Sequence, residues 1–423
     1  MPSDVSTLVD HFFRHEYGRL VALLTKSFGV RQLDLIEEAV QSALSKGLQV
    51  WARAGIPRDP AAWLYRTAKN TAIDALRRSE IELRTLAKIS AETTETQDDD
   101  RLADAVLDSD PGDETLRLLY LCCHPTLALE SRVALALKIV GGFSVDEIAN
   151  AFLISKSNAE KRLTRAKDTL RDRGTEISEL TSDSAAERVE AVLSTIYLIF
   201  TEGYAATVGD NPVRSDLCEE AMRLARMCNQ HSWSRSPATA ALLGLLLLQS
   251  SRMDARVDAD GAIVLLGEQD RTCWDTGRIR EAMHWLTLAA EGNVLSRYHV
   301  EAAIAWEHAR AENLESVDWP RVISLYEKLT VMNPGPMVRL NLVIAQSRVC
   351  GADSALKALV SFSDDDRRRL RPWWDCAIAE IFEKLNRPKD AVAHLTDALA
   401  LSTNAAQRKL IERKRDRLTG RGV

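Results

Sequence analysis

An all-α protein is predicted by three observations. Apolar residues recur at helical spacing through the 423-residue chain. Runs of Val, Ile and Thr with strict alternation, the mark of strands, are nearly absent. Small residues anchor a repeat of about 34 residues late in the chain, as arrays of paired helices require where the helices cross closely. The expected order is a helical domain over 1–90, an acidic linker over 91–115, a shorter helical domain over 116–175 and a long helical region over 185–423. The linker rests on its Thr, Asp and Glu content, with Asp98, Asp99 and Asp100 in a row and Pro111-Gly112 near its end.

Composition narrows the class. Apolar residues make up 46% and charged residues 27%, which fits a folded globular protein rather than a disordered one. The net charge of −6 hides uneven segments, so it does not exclude nucleic acid. Seven cysteines lie scattered with no C-x-x-C pair, and no basic-then-apolar leader stands at the start, so a reduced, cytoplasmic protein is expected. The most apolar run, Ala238 to Leu248, is far shorter than the ~20 residues of a membrane helix, so no membrane contact is expected.

The strongest local motif spans Phe143 to Lys167, F-S-V-D-E-I-A-N-A-F-L-I-S-K-S-N-A-E-K-R-L-T-R-A-K. Ser144 with Glu147 forms a capping box, and Val145, Ile148 and Ala149 give the first helix its apolar stripe. Phe152, Leu153 and Ile154 form the turn. Ser155 caps a second helix with Ala159, Leu163 and Ala166 inward and a basic outer face. In a helix-turn-helix the second helix enters the major groove, its first residues reaching base edges and flanking cations meeting phosphates. Lys156, Ser157, Asn158 and Lys161 are the base-reading candidates, and Arg162, Arg165 and Lys167 the phosphate contacts or structural ion pairs.

In the first domain, D-L-I-E-E-A-V-Q-S-A-L from Asp34 reads as a helix with Ile36, Ala39, Val40, Ala43 and Leu44 inward and Glu37, Glu38 and Gln41 outward. A loop with Gly55, Pro57 and Pro60 follows. The next helix, Ala61 to Arg78, buries Trp63, Leu64, Ala68, Ala72 and Leu76 and lines another face with Arg66, Lys69, Asn70, Ile73 and Arg77, which suits a phosphate backbone.

An acidic helix, a Pro-bounded loop, a Trp-led basic helix, an acidic linker and a basic helix-turn-helix, in that order, resemble the plan of extracytoplasmic-function (group 4) RNA polymerase sigma factors of the sigma-70 family. The resemblance covers about Val9 to Arg173. It implies that Glu37, Glu38 and Gln41 contact the clamp helices of the largest subunit of core RNA polymerase. It further implies that the loop Ile56 to Ala61 cradles a flipped promoter base of the −10 element, with Trp63, Arg66, Lys69, Asn70 and Arg77 on the melted strand. Lys156 to Arg165 would read the −35 element. Two departures bear on sequence preference: the loop reads R-A-G-I-P-R-D-P in place of the usual Phe- and Arg-containing version, and Glu160 stands where a basic residue is frequent.

Beyond Ala185, E-R-V-E-A-V-L-S-T-I-Y-L-I-F-T-E-G-Y and R-S-D-L-C-E-E-A-M-R-L-A-R, like the earlier L-Y-L-C-C-H-P, resemble a sigma subgroup with a tetratricopeptide-like extension. The repeat is clearest over 298–401, where Ala379, Phe382, Ala391, Leu395 and Ala398 surround the turn Asn386-Arg387-Pro388. Val322, Tyr326, Leu329 and Pro334 fit an earlier unit, and Ala355 and Leu359 a middle one. The subgroup implies that the extension regulates the sigma factor through a ligand or protein bound there. Adjacent Cys122 and Cys123 cannot easily share one tetrahedral ion, so burial explains them better than a metal, and none is expected. Glu268 to Asp275 reads as helix caps and ion pairs, with a ligand pocket beside Trp274 as the competing reading. No nucleophile elbow, P-loop or dinucleotide fingerprint is present, so neither enzymatic activity nor a cofactor is expected. A ligand-responsive helix-turn-helix regulator that never joins polymerase is the rival function. It would need neither the acidic helix nor the Trp-led one.

Overall fold

The computed structural model describes residues 16–87, 111–152, 154–173, 182–204, 213–402 and 404–420. Among these the regular structure is helical, with short 3-10 turns and isolated bridge residues at Val257, Ile263 and Asn404. The all-α expectation holds. Most of the acidic linker lies outside the described residues, as does Leu153 of the expected turn.

The chain divides into two compact units, Met1–Leu198 with Gln230–Ser234, and Ile199–Asn229 with Arg235–Val423. In the first, α1 (16–28) is buried almost all round. Leu20, Val21, Ala22, Leu23 and Leu24 are each at most 1% exposed, which an amphipathic surface helix would not allow. Around it stand α2 (Leu33–Ala54), α3 (Pro60–Ala87), α4 (Pro111–Cys122), α5 (Leu129–Ile139), α6 (Val145–Phe152), α7 (Lys156–Arg173) and the start of α8 (Ser182–Tyr204). Asp59 caps α3 by accepting from the Ala62 N–H at 2.9 Å, and Pro60 fills the position after the cap, where its missing N–H is harmless. The two expected DNA-binding domains thus belong to one unit, with α1 meeting Glu37 of α2 through Tyr17, and Glu114 of α4 and the Val140 backbone through Lys26 and Gly18.

The extension does not begin cleanly at 185. Thr195 of α8 acts on the Cys123 thiol, and Trp233 returns to α4, where its indole N–H donates to Asp113 at 2.6 Å and its ring meets Tyr120 edge-on at 5.1 Å. Cys122 and Cys123 are fully buried, as expected. Burial pushes the Cys123 thiol up to about 12 and Cys122 well above its usual value.

The second unit adds α9 (Ser215–Gln230), α10 (Pro237–Ser250), α11 (Thr276–Ala289), α12 (Arg297–Arg310), α13 (Trp319–Met332), α14 (Pro336–Val360), α15 (Asp364–Leu370), α16 (Trp373–Lys384), α17 (Pro388–Leu401) and α18 (Ala405–Thr419). From α10 onward most helices pack chiefly on their neighbours in sequence, as a stacked array does. The apolar run becomes α10, the central core helix, started by a Ser236–Thr239 capping box with Pro237 at its first position. Ala379, Phe382, Ala391, Leu395 and Ala398 share one core, with Asn386 left-handed at φ 56° in the expected turn. Gly351 at φ 80° breaks α14, so Ala355 and Leu359 lie on its second piece.

Gly18 of α1 is where close approach decides the residue. A Cβ there would lie 2.2 Å from the Val140 carbonyl oxygen, a backbone atom that cannot step aside. Gly18→Ala should therefore lower stability by about 1–3 kcal/mol through overpacking, although helix propensity alone favours Ala by about 1 kcal/mol. Urea denaturation of the full chain reads the sign, and a net gain would contradict this packing.

Candidate nucleic-acid interface

The helix-turn-helix is α6 and α7. Ser144 Oγ accepts from the Glu147 N–H at 3.1 Å while Glu147 accepts from the Ser144 N–H at 2.7 Å, closing the expected capping box. Ser155 caps α7 by accepting from the Asn158 N–H at 3.2 Å. Ala159, Leu163, Ala166 and Leu170 are buried, which aims the opposite face of α7 outward. Lys156, Ser157, Asn158, Lys161 and Arg165 are exposed and Arg162 is half-buried. Lys156 is not a free cation: it pairs with Asp146 at 2.9 Å, so reaching a base means leaving that partner.

On α3 the apolar stripe is Leu64, Ala68 and Ala72, with Trp63 and Leu76 half-buried. Trp63 meets Trp51 of α2 edge-on at 5.5 Å, which fixes the start of the helix. Arg66, Asn70 and Arg77 are exposed and Lys69 half-buried. Positions 66, 70, 73 and 77 repeat at four, three and four residues, so they share one face. Beside that helix the loop exposes Ile56 at 74%, an apolar side chain held toward solvent after Gly55 turns the chain at φ 83°.

The acidic helix α2 differs from its sequence reading at one position. Glu38 and Gln41 are exposed as expected, but Glu37, read as outward, is 5% exposed. Neighbours on a helix are about 100° apart, so 37 and 38 cannot both face solvent squarely when a second body covers one side. That body is the helix-turn-helix half of the unit. Lys167 of α7 reaches Glu37 at 2.5 Å, a contact of charge rather than a well-aligned hydrogen bond, and Asp34 at 2.8 Å. Lys138 of α5 stands 3.9 Å from Glu37, and Tyr17 of α1 donates to it at 3.2 Å. Arg171 completes the set on Asp34 at 2.7 Å, and Lys26 of α1 meets buried Glu114 of α4 at 2.6 Å. Lys167, assigned from sequence to phosphates or ion pairs, is an ion-pair residue here.

The titrations follow from this clasp. Partial burial raises the Asp34 carboxyl, but the hydrogen bond and charge of Lys167, with Arg171, outweigh it and hold the carboxyl below its ordinary value. Burial lowers Lys167, yet Glu37 and Asp34 bring it out raised. Burial wins at Lys138, which is lowered despite Glu37, and drives the Tyr17 phenol well up with Glu37's help. Asp34's contribution to stability is thus complete above the ordinary aspartate value near ~3.9 and lost as pH falls through its lower folded value. That of Lys167 is complete below ~10.4 and lost as pH rises through its folded value. Neutral pH leaves the clasp unchanged.

Elsewhere, Asp375, His394 and Asp397 bring three ligand-type atoms within 4.8 Å of one another. Arg371 already meets Asp375 at 2.5 Å, and a guanidinium in the group opposes a metal cation. Asp270 and Asp275 act as caps, accepting from the Thr272 and Arg278 N–H groups at 2.9 and 3.0 Å, as read from sequence.

Comparison with known proteins fits this geometry. Residues 12–80, reaching from α1 into α3, match sigma-70 region 2, and residues 117–170, from α4 through the helix-turn-helix, match sigma-70 region 4. The chain belongs to the sigma-70 family. This sigma-70 factor carries a further match over 188–290 to a family of unknown function (DUF6596). It is 39% identical over 391 residues to an uncharacterized protein of Rhizobium meliloti (strain 1021), covering 92% of this chain and 91% of that protein. No solved structure matches significantly. A sigma-70 factor acts in promoter recognition. Among the described residues of this one, no helix is long and apolar enough to cross a membrane.

Region 4 therefore clasps the acidic helix of region 2 in cis, at residues 133 positions apart. Sequence reasoning missed this because Lys167 and Asp34 look like any solvated charges. Lys167→Met should destabilise the chain by about 3–5 kcal/mol by leaving Glu37 buried and under-compensated, whereas Lys167→Met with Glu37→Gln should lose much less. Equal losses in urea denaturation would mean that the pair carries no coupling.

Proposed function

We propose that the chain is a sigma factor of the extracytoplasmic-function type. It works in the cytoplasm, binds core RNA polymerase through α2, engages the −10 element with the loop after α2 and the exposed face of α3, and engages the −35 element with the start of α7. The observation that carries the reading is the first unit itself: both sigma-70 regions in one body, with Glu38 and Gln41 exposed on the acidic helix and Arg66, Asn70 and Arg77 on one face of the next.

Within this reading the clasp is a resting state. An acidic helix offered to a basic partner surface is already neutralised by Lys167 and Arg171. Core polymerase gains the full acidic face only by displacing α7, which also separates the region 4 helix from region 2 so that each can reach its own promoter element. Ion-pair exchange makes this feasible, since the pairs lost in cis are replaced by pairs of the same kind.

The extension, tetratricopeptide-like in its later helices, is the regulatory part in this reading. Trp233 lies within the 188–290 segment yet is anchored on Asp113 at the start of α4 and on Tyr120 of region 4. Arg117 adds its guanidinium 5.2 Å from the Trp233 ring. A change in this segment thereby bears on region 4 through a packed contact rather than through a flexible tether.

The test is co-purification with core polymerase. Glu38→Arg with Gln41→Ala changes exposed side chains only, so folding should persist while core binding falls at least tenfold and run-off transcription is lost with it. Unchanged co-purification by the folded variant would sink the sigma reading.

A further inference from the structure

We infer that the second unit holds a binding site for a small organic carboxylate, in the cavity between α10, α12 and α13. The cavity measures about 140 Å³ and is lined by Gln249, Arg252, Trp274, Ile304, His308 and Tyr326 among others. That is close to the ~150 Å³ of an engineered apolar cavity that holds benzene. The occupant is therefore small, with a body no larger than a phenyl ring.

The charge it carries is argued from what the cavity lacks. Arg252, Arg256 and Arg271 gather here, and among the described residues none forms an ion pair with a carboxylate. Elsewhere in the same unit arginines do find acids, as Arg226 does Glu281 and Arg278 does Glu219. Arg256 is spent on the Tyr204 ring, 3.8 Å from its centroid. Arg271 is spent on the carbonyls of His308 and Ala311, at 2.8 and 2.6 Å near the end of α12, and on the Trp274 ring at 4.5 Å. Arg252 borders the cavity itself, with Gln249 as its hydrogen-bond acceptor and the Tyr204 ring 5.6 Å away. A guanidinium has five donors in a planar fork that matches a carboxylate.

The polar groups around it independently call for a ligand. Trp274 is 6% exposed, and its indole Nε1 is buried without a hydrogen-bond partner among the described residues; His308 Nδ1 is in the same position. Buried donors are normally satisfied, and leaving them unmade is unfavourable. The His308 ring is held neutral, pushed down to about 4 by burial and then by the charges of Arg252 and Arg271, so it can donate one N–H without adding a charge. Burial lowers Arg252 as well, and the Arg256 charge adds to it against the opposing pull of Tyr204; an entering anion would reverse this. One uncompensated cation at the cavity, two neutral N–H groups and walls of Leu248, Ile304 and Tyr326 describe a monoanion with an apolar body. A doubly charged phosphate would meet too few cations at the cavity wall.

This site stands apart from the sigma reading, and its test reads ligand binding alone. Isothermal titration of the full chain with acetate, butyrate, benzoate, benzamide and inorganic phosphate distinguishes the outcomes. Saturable binding of butyrate or benzoate, at least tenfold tighter than benzamide and phosphate, is expected, with Arg252→Gln losing at least tenfold. Benzamide controls for charge without any mutation, so a poorly folded variant would not obscure the answer. Absence of saturable carboxylate binding, equal binding of benzamide, or tighter binding of phosphate would each overturn the assignment.

Discussion

The carboxylate of Glu37 is the constraint on which the first unit turns. It is buried, so it must be matched, and its partners arrive from three helices: Tyr17 of α1, Lys138 of α5 and Lys167 of α7. Removing a charge from water is offset only when geometry and hydrogen bonds are good. Satisfying this one group therefore fixes how the region 4 helices sit against α2. Asp34 and Arg171 extend the same contact toward solvent, where a pair contributes less. Apolar packing does the rest, with Gly18 letting α1 reach the Val140 backbone.

From that constraint follows a view of the factor as a molecule folded onto its own partner-binding surface. In the proposed function, a surface that meets cations of core polymerase has met them first within this chain. The pairs are strong enough to hold the unit together and are of a kind that a basic partner can replace. The cations read from sequence as DNA-facing stay out of the clasp: Lys161 and Arg165 of α7 and Arg66 and Arg77 of α3 are exposed. The same α7 thus works at two levels, its first turns open and its last turns engaged.

Much of this was legible in the sequence, and the limit has a physical cause. Helices, caps and turns are local, so Ser144 with Glu147, Ser155, and Asn386-Arg387-Pro388 could be read from a few neighbouring residues. The face of α3 follows from helical spacing alone. The burial of Glu37 depends on residues about a hundred or more positions away, which no local pattern contains. For the same reason Trp233 gave no sign that it belongs with Asp113, and the cluster around Trp274 read as caps while also bordering a cavity. Within Glu268 to Asp275, Asp270 and Asp275 cap helices, as read from sequence, while Trp274 borders a cavity that none of the segment's carboxylates lines.

The central claim is that the clasp closes the free factor and opens on core polymerase. Paired spin labels at the exposed Ser45 of α2 and Ser157 of α7, with exposed Cys273 and Cys350 replaced, report the distance between these helices by electron–electron resonance. The account expects one narrow, short distance in the free chain and a longer one when core is bound. A broad distribution in the free chain, or the same narrow distance with core bound, would contradict it.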